Sequence, residues 1–173
     1  MKQKLGLVCA LIHTPQVLLL DEPTNGVDPV SRRDFWRILY SLLDEGVSIL
    51  ISTSYLDEAE RCHRVALLHQ GRLLFCDSPA QLKKKLPGAV VAVHSSDPWH
   101  LRKLLETAGG VSHIVLVGDG AHLAVDDGVR RIPELSALLT SAHFPFDSIE
   151  EATPTIEDLF VAAVQDQEGQ KEQ

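Results

Sequence analysis

The chain has 173 residues, of which 45% are apolar, and a formal net charge of −8 at pH 7. This length allows one medium domain or two small ones, and the apolar content is sufficient for a hydrophobic core. The acidic balance argues against a broad nucleic-acid-binding surface, and no wholly apolar run is longer than that of residues 7–12, far below the roughly 18 residues that a membrane span requires.

The first elements are predicted to alternate between helices and parallel strands. Apolar residues at helical spacing predict a helix over 2–13, and the aliphatic run 17–20 predicts a strand buried on both faces, as in a parallel sheet covered by helices. Asp28 is the expected N-cap of a helix over 29–45, and residues 47–52 are the next strand. Because a helical crossover joins the two strands, we expect them to be parallel neighbours in one sheet.

The pattern changes in the second half of the chain. Residues 64–69 and 72–76 predict a hairpin at the edge of the parallel sheet, and Pro87-Gly88 marks a domain boundary. The elements predicted beyond it are a strand at 90–94, a helix at 98–108, strands at 111–117 and 121–125, a helix at 132–141 and a strand at 146–150. This order is that of a ferredoxin-like split unit. Thr155 and Asp158 then form the expected capping box of a closing helix.

Two adjacent carboxylates, Asp21 and Glu22, follow the first predicted strand directly. Open α/β sheets bind their ligands at the carboxyl ends of the strands, which is where this pair would lie. One carboxylate can hold a hydrated Mg²⁺ while the next polarises an attacking water molecule. The pair therefore predicts a site for nucleotide hydrolysis.

The residues around this pair resemble the ABC-type ATPases. Residues 21–29, Asp-Glu-Pro-Thr-Asn-Gly-Val-Asp-Pro, resemble the Walker B motif and D-loop of that family, residues 51–60 resemble its switch region, and residues 1–5 resemble the stretch after its signature glycines. The ordered set of motifs makes the resemblance specific. It implies an α/β fold, in which the second half of a P-loop NTPase parallel sheet occupies 1–86. The elements predicted beyond Pro87 form a small α+β ferredoxin-like domain over 87–165, and the polar residues 166–173 predict a disordered tail.

The resemblance extends into the second domain. Residues 153–160 are similar to the closing segment of ATPase subunits that serve ABC-2-type exporters, and with residues 52–55 they most resemble the first ATPase domain of a tandem bacterial multidrug-exporter subunit. The resemblance implies ATP and Mg²⁺ as cofactors. It implies an ABC-2-type membrane permease and a second ATPase domain as partners, without nucleic acid. The implied location is the cytoplasm, peripheral on the inner face of the cell membrane, and three cysteines without metal-ligand spacing fit a reducing compartment.

The resemblance also implies a role for each residue of the candidate nucleotide site. Asp21 would hold Mg²⁺, and Glu22 would be the catalytic residue that orients or deprotonates the hydrolytic water. Asp28 would lie in the D-loop at the partner ATPase domain, although its capping role alone accounts for an aspartate there. Ser54 stands where the family usually has a histidine that contacts the γ-phosphate. Because serine is shorter and carries no positive charge, we expect a slow site, with hydrolysis weighted to a second site.

The sequence contains neither a G-x-x-x-x-G-K-[ST] loop nor a Ser-Gly-Gly signature. We therefore expect it to be the second half of an ATPase domain, which alone neither binds ATP tightly nor hydrolyses it. Two alternatives are a non-transport ABC ATPase, ribosome-associated or regulatory, and a non-enzymatic remnant that acts through its second domain. The acidic charge disfavours the RNA-associated alternative. An in-frame Walker A motif upstream, beside a gene with several membrane spans, would favour the transporter.

Overall fold

The computed structural model describes residues 2–13 and 15–169, which separate into two compact units, Met1–Glu58 and Ala59–Gln173. The division falls before the expected boundary at Pro87, because the segment between them is compact with the second unit. The limits 1–86 and 87–165 of the resembled domains stay a prediction. Met1 and residues 170–173 of the expected tail lie outside the described residues.

The first unit is built around one strand-helix-strand crossover. Its elements are α1 (Lys2–Leu11), β1 (Val17–Asp21), α2 (Pro29–Asp44), β2 (Ser48–Ser52) and the short α3 (Leu56–Ala59), whose last residue belongs to the second unit. Strands β1 and β2 pair in parallel, with Leu18 opposite Ile49 and Asp21 opposite Ser52. The predicted parallel pair is therefore confirmed, and it brings the carboxyl ends of both strands to one edge.

Helix α2 begins and ends where local sequence signals place its ends. Pro29 occupies the first helical position, where its missing N–H costs nothing, and the Asp28 carboxylate accepts a hydrogen bond from the Ser31 N–H at 2.9 Å. Gly46, at a φ of 88°, lets the chain turn into β2 after the helix ends. The buried face of α2 carries Phe35, Trp36, Leu39 and Leu42.

Within the described residues, β1 is buried on one face only, in contrast to the predicted burial on both faces. Side chains alternate along β1, so that Leu18 is buried while Val17 and Leu19 are 59% and 70% exposed. Leu50, opposite Leu19 on β2, is 67% exposed. A continuous apolar run cannot specify which face is covered, and in the described part of the chain the face with Val17, Leu19 and Leu50 lacks a covering layer.

The second unit contains a hairpin followed by a ferredoxin-like domain. Its elements are β3 (Val65–His69), β4 (Arg72–Asp77), α4 (Pro79–Lys83), β5 (Ala89–His94), α5 (Pro98–Leu105), β6 (Val111–Val117), β7 (Gly120–Val125), α6 (Gly128–Ser141), β8 (Ser148–Ala152) and α7 (Ile156–Gly169). Strands β5 to β8 form an antiparallel sheet in the order β6-β7-β5-β8, which confirms the predicted split unit. Its core includes Val91, Leu101, Leu123 and Leu139.

Three predicted features of the second unit need correction. The hairpin β3–β4 forms its own two-stranded sheet, with a register shift between Leu67 and Leu68. Helix α6 starts at Gly128 instead of residue 132, because Asp127 caps it by accepting the Arg130 N–H. Helix α7 continues to Gly169, so residues 166–169 of the expected tail are helical.

Candidate functional site

The parallel register of β1 and β2 assembles the candidate site at their carboxyl edge. Asp21 ends β1 opposite Ser52, which ends β2, and Glu22 and Ser54 follow their strands closely. The Ser54 hydroxyl donates a hydrogen bond to Glu22 Oε2 at 3.3 Å. Three of the four predicted site residues, Asp21, Glu22 and Ser54, are thereby brought together, although Glu22 and Ser54 are 32 positions apart in the sequence.

Ser52, which was not predicted from the sequence, forms hydrogen bonds with both Asp21 and Glu22. Its hydroxyl donates to Asp21 Oδ1 and lies 3.3 Å from the Glu22 nitrogen, which also donates to the Ser52 carbonyl at 3.0 Å. A serine at the end of the second strand of a parallel pair, in register with Asp21, was the signal that could have identified it. Ser52 therefore orients the Asp21 carboxylate and anchors the Glu22 backbone.

Glu22 has a left-handed backbone conformation, with a φ of 44°. A non-glycine residue in this region carries strain of about 1–3 kcal/mol and persists only where the surrounding contacts enforce it. The enforcing contacts here include the two hydrogen bonds to Ser52 and a turn in which the Asn25 N–H donates to the Glu22 carbonyl at 3.1 Å. The chain therefore turns sharply at Glu22, directly beside Asp21.

The oxygen groups at this edge fit the expected magnesium ion. Asp21 is exposed, and Mg²⁺ is typically held by one or two carboxylates while its other ligands are water and substrate phosphate oxygens. Among the described residues there is no cluster of three or more His, Cys, Asp or Glu side chains that could form an all-protein metal cage. Asp21 is thus the carboxylate that could hold Mg²⁺ at this open edge.

Asp28 lies at the start of α2, and its carboxylate serves as the helix cap. Hydrogen bonds from the backbone and then the side chain of Ser31 lower the pKa of Asp28, because they stabilise its charged form. The predicted capping role is confirmed by this contact. Contact of Asp28 with a partner ATPase domain stays a prediction.

A buried glutamate connects the segment after β2 to α2. Glu58 is 0% exposed, and its carboxylate accepts hydrogen bonds from Trp36 Nε1 and Thr53 Oγ1, each at 3.1 Å. Glu58 was not among the site residues predicted from the sequence. The available signal was a tryptophan on an apolar helix stripe, because a buried indole N–H requires an acceptor.

The chain is similar to several ATP-binding proteins. It is 41% identical over 169 residues to "Probable multidrug ABC transporter ATP-binding protein YbhF" of Escherichia coli, a match that covers 93% of this chain and 28% of that protein. It is 31% identical over 166 residues to "Daunorubicin resistance ATP-binding protein DrrA2" of Streptomyces coeruleorubidus, covering 93% of this chain and 52% of that protein. "Nod factor export ATP-binding protein I" of Burkholderia thailandensis is 39% identical over 129 residues, with coverage of 73% and 42%.

The chain thus spans between about a quarter and a half of the length of these relatives. No protein-family model matches the chain. Of the helices in residues 2–13 and 15–169, none is both long and apolar enough to cross a membrane.

Proposed function

The chain belongs to the ATP-binding proteins of ABC transporters, and from this premise we propose that it forms the Walker B, D-loop and switch part of an ATPase domain that drives export. The observation that carries the proposal is the hydrogen bond between Ser54 and Glu22 beside Asp21, at the carboxyl edge of a parallel strand pair. Nucleotide sites of α/β proteins lie at such an edge.

Each residue at this edge has a distinct task in the proposed reaction. Asp21, oriented by the Ser52 hydroxyl, holds Mg²⁺, which when bound neutralises negative charge on the phosphate oxygens. The Glu22 carboxylate orients the attacking water and accepts its proton. The Ser54 hydroxyl holds Glu22 Oε2 and, being shorter than an imidazole, would reach a γ-phosphate through a bridging water, as we propose for a slow site.

We further propose that residues outside these 173 complete the nucleotide site. The sequence contains no phosphate-binding loop, and the matched relatives are about two to four times as long as the segment that they share with the chain. The exposed face of β1 and β2, with Val17, Leu19 and Leu50, supports a further layer of protein on the sheet. In this proposal a second ATPase domain contacts the D-loop at Asp28 and contributes residues to the nucleotide site.

The proposed partner is an ABC-2-type membrane permease, with the ATPase peripheral on the cytoplasmic face of the membrane. Support comes from relatives whose names refer to multidrug transport and to Nod factor export. The tandem arrangement, with this segment in the first of two ATPase domains, belongs to the same proposal. Copurification of the ATPase with a permease encoded beside it would test the partnership.

The experiment that tests the proposed chemistry is Glu22→Gln in the complete protein that contains this segment. The amide keeps the size of the side chain but accepts no proton, so we expect ATP turnover at this site to fall by about 100-fold or more while MgATP binding is retained. Steady-state phosphate release, with the second ATPase domain inactivated so that only this site is observed, and equilibrium binding of a labelled nucleotide measure the two quantities. Glu45→Gln, the same change at an exposed residue after α2, is the matched control. Turnover that survives Glu22→Gln would refute the assignment.

A further inference from the structure

We propose that Arg32, Trp36 and Glu58, together with Thr53, form a clamp that positions Ser54 against Glu22. We call these four residues the switch clamp. The inference rests on the proposed function, because it concerns the same hydrolytic site. The members of the switch clamp are positioning residues, since they act through Ser54.

The centre of the switch clamp is the carboxylate of Glu58. It is fully buried, and burial of a carboxylate is unfavourable unless hydrogen bonds or opposite charges compensate for the lost water. The compensation comes from two different directions: Trp36 Nε1 on α2 donates to Oε1, and Thr53 Oγ1 donates to Oε2. Arg32 Nε lies 4.0 Å from Oε1 and adds an opposite charge. The buried carboxylate thus holds α2 and the segment after β2 together.

Thr53 transmits this constraint across Ser54 to Tyr55. While its hydroxyl donates to Glu58, it also accepts the Tyr55 N–H at 3.1 Å. The Glu58 N–H in turn donates to the Tyr55 carbonyl at 3.0 Å. Ser54 lies between two residues that share one hydroxyl, so its backbone cannot turn away without breaking these hydrogen bonds.

Arg32 fixes the outer side of the same segment. Its guanidinium carbon lies 5.3 Å from the centre of the Tyr55 ring, in a cation–π arrangement, and its Nη2 lies 3.4 Å from Asp57 Oδ2. The ion pair is partly exposed and weak by itself, but the ring contact adds to it. Arg32 and Trp36 are four residues apart and therefore lie on one face of α2.

The consequence is that α2 and the switch serine move together. Helix α2 starts at its cap Asp28, the residue that we propose lies at a second ATPase domain, and the same helix carries Arg32 and Trp36 one and two turns later. A shift of α2 on contact with that domain would displace Thr53 and hence Ser54. The switch clamp would thereby make hydrolysis at Glu22 depend on the position of α2.

A double-mutant cycle in the complete protein, with the second ATPase domain inactivated so that kcat reports this site alone, tests the inference. Trp36→Phe keeps an aromatic ring at the site but removes the N–H that donates to Glu58, and we expect kcat to fall about fivefold while MgATP binding is unchanged. In a Ser54→Ala background, Trp36→Phe is expected to cause no further fall in kcat, because Ser54 is the residue through which the clamp acts. Trp99→Phe is the matched control, since Trp99 is 72% exposed and lies in the second unit.

Thr53 provides a second variant that leaves the apolar face of α2 intact. Thr53→Val removes the hydroxyl and should lower kcat like Trp36→Phe, whereas Thr53→Ser keeps the hydroxyl and should restore it. The inference is overturned if kcat is unchanged in Trp36→Phe and Thr53→Val, or if Trp36→Phe lowers kcat equally with and without Ser54. It is also overturned if Ser54→Ala itself has no effect. Turnover that persists in Glu22→Gln would instead refute the proposed function.

Discussion

At the scale of single residues, one backbone angle decides where the proposed catalytic carboxylate lies. Glu22 has a φ of 44°, in a region that a glutamate rarely occupies. The Glu22 N–H donates to the carbonyl and hydroxyl oxygens of Ser52, and the same hydroxyl donates to Asp21. Strain at a candidate site is a recurrent feature of functional loops, and here the contacts that enforce it come from the neighbouring strand.

The departure at Ser54 leads to a prediction at the same scale. Ser54→His in the complete protein should raise ATP turnover at this site by about tenfold, because an imidazole reaches further than a hydroxyl and can carry a positive charge toward the γ-phosphate. Phosphate release under saturating MgATP is the measurement. Ser54→Asn, which adds length without a titratable group, is the control. If Ser54→His leaves turnover at the wild-type level, the explanation of a slow site loses its support.

At the scale of elements, the N-terminus of α7 is held by several polar contacts. Thr155 and Asp158 form the predicted capping box, with the Thr155 N–H and hydroxyl donating to Asp158 Oδ2 and the Asp158 N–H donating to Thr155 Oγ1. Glu60 Oε1 accepts the Ile156 N–H at 2.9 Å, and Glu60 also forms an ion pair with Lys83 of α4. The start of α7 is thus attached to two other parts of the second unit.

His122 on β7 adds a titratable contact to this helix start. Its Nδ1 lies 3.1 Å from Asp158 Oδ2, and this hydrogen bond raises the pKa of His122 against the opposing effect of burial. The charges of Asp158, Glu157 and Asp119 raise it further. Burial alone would raise the pKa of Asp158, but hydrogen bonds from His122 and Thr155 outweigh it and lower that pKa.

These directions predict how stability depends on pH. Because the pKa of folded His122 lies above 6.5, its contribution is complete below pH 6.5 and is lost as the pH rises through the folded pKa. The contribution of Asp158 is complete above pH 3.8 and is lost as the pH falls through its lowered pKa. The Tm of the chain should therefore exceed that of His122→Gln by roughly 2–4 °C near pH 5–6, and the difference should shrink toward pH 9.

Thermal unfolding followed by circular dichroism across this pH range measures the difference. His63→Gln is the control, since His63 is exposed and this substitution also removes one histidine. A Tm difference for His122→Gln that stays constant between pH 5 and pH 9 would contradict the proposed ionic contribution. Such a result would mean that His122 and Asp158 interact through a neutral hydrogen bond.

At the scale of the whole molecule, the two units differ in how completely their apolar surfaces are covered. The second unit has a closed core in which Val91, Leu101 and Leu139 are 0% exposed. In the first unit, the sheet face with Leu19 and Leu50 is exposed. The exposed face is the basis of our proposal that further protein covers the first unit.

The same reasoning predicts that the 173-residue chain alone does not hydrolyse ATP. Without a phosphate-binding loop in its sequence, the edge with Asp21 and Glu22 offers no cradle for the β- and γ-phosphates. Phosphate release from the purified chain with MgATP should equal that of the Glu22→Gln chain, which serves as the background control. Release clearly above this background would show that half of the domain suffices and would overturn the proposal of a completed site.

The local sequence determined most of the elements and their caps. The cap at Asp28, the capping box at Thr155 and the strand-helix-strand crossover were all predictable, because each depends on neighbouring residues or on apolar spacing along one segment. The start of α6 was predicted one turn late, because Pro133 inside the helix obscured the cap at Asp127. The family motifs further indicated that Asp21, Glu22 and Ser54 belong to one site.

Only the tertiary structure decided how that site is assembled. Ser52 contacts Asp21 and Glu58 contacts Trp36, and these residues lie 31 and 22 positions apart in the sequence. The strained backbone of Glu22 also depends on hydrogen bonds with Ser52 on the neighbouring strand. The exposed face of β1 is also a property of what packs against the strand, not of its aliphatic run. Propensity and spacing act over a few residues, whereas register and burial arise only when distant segments meet in space.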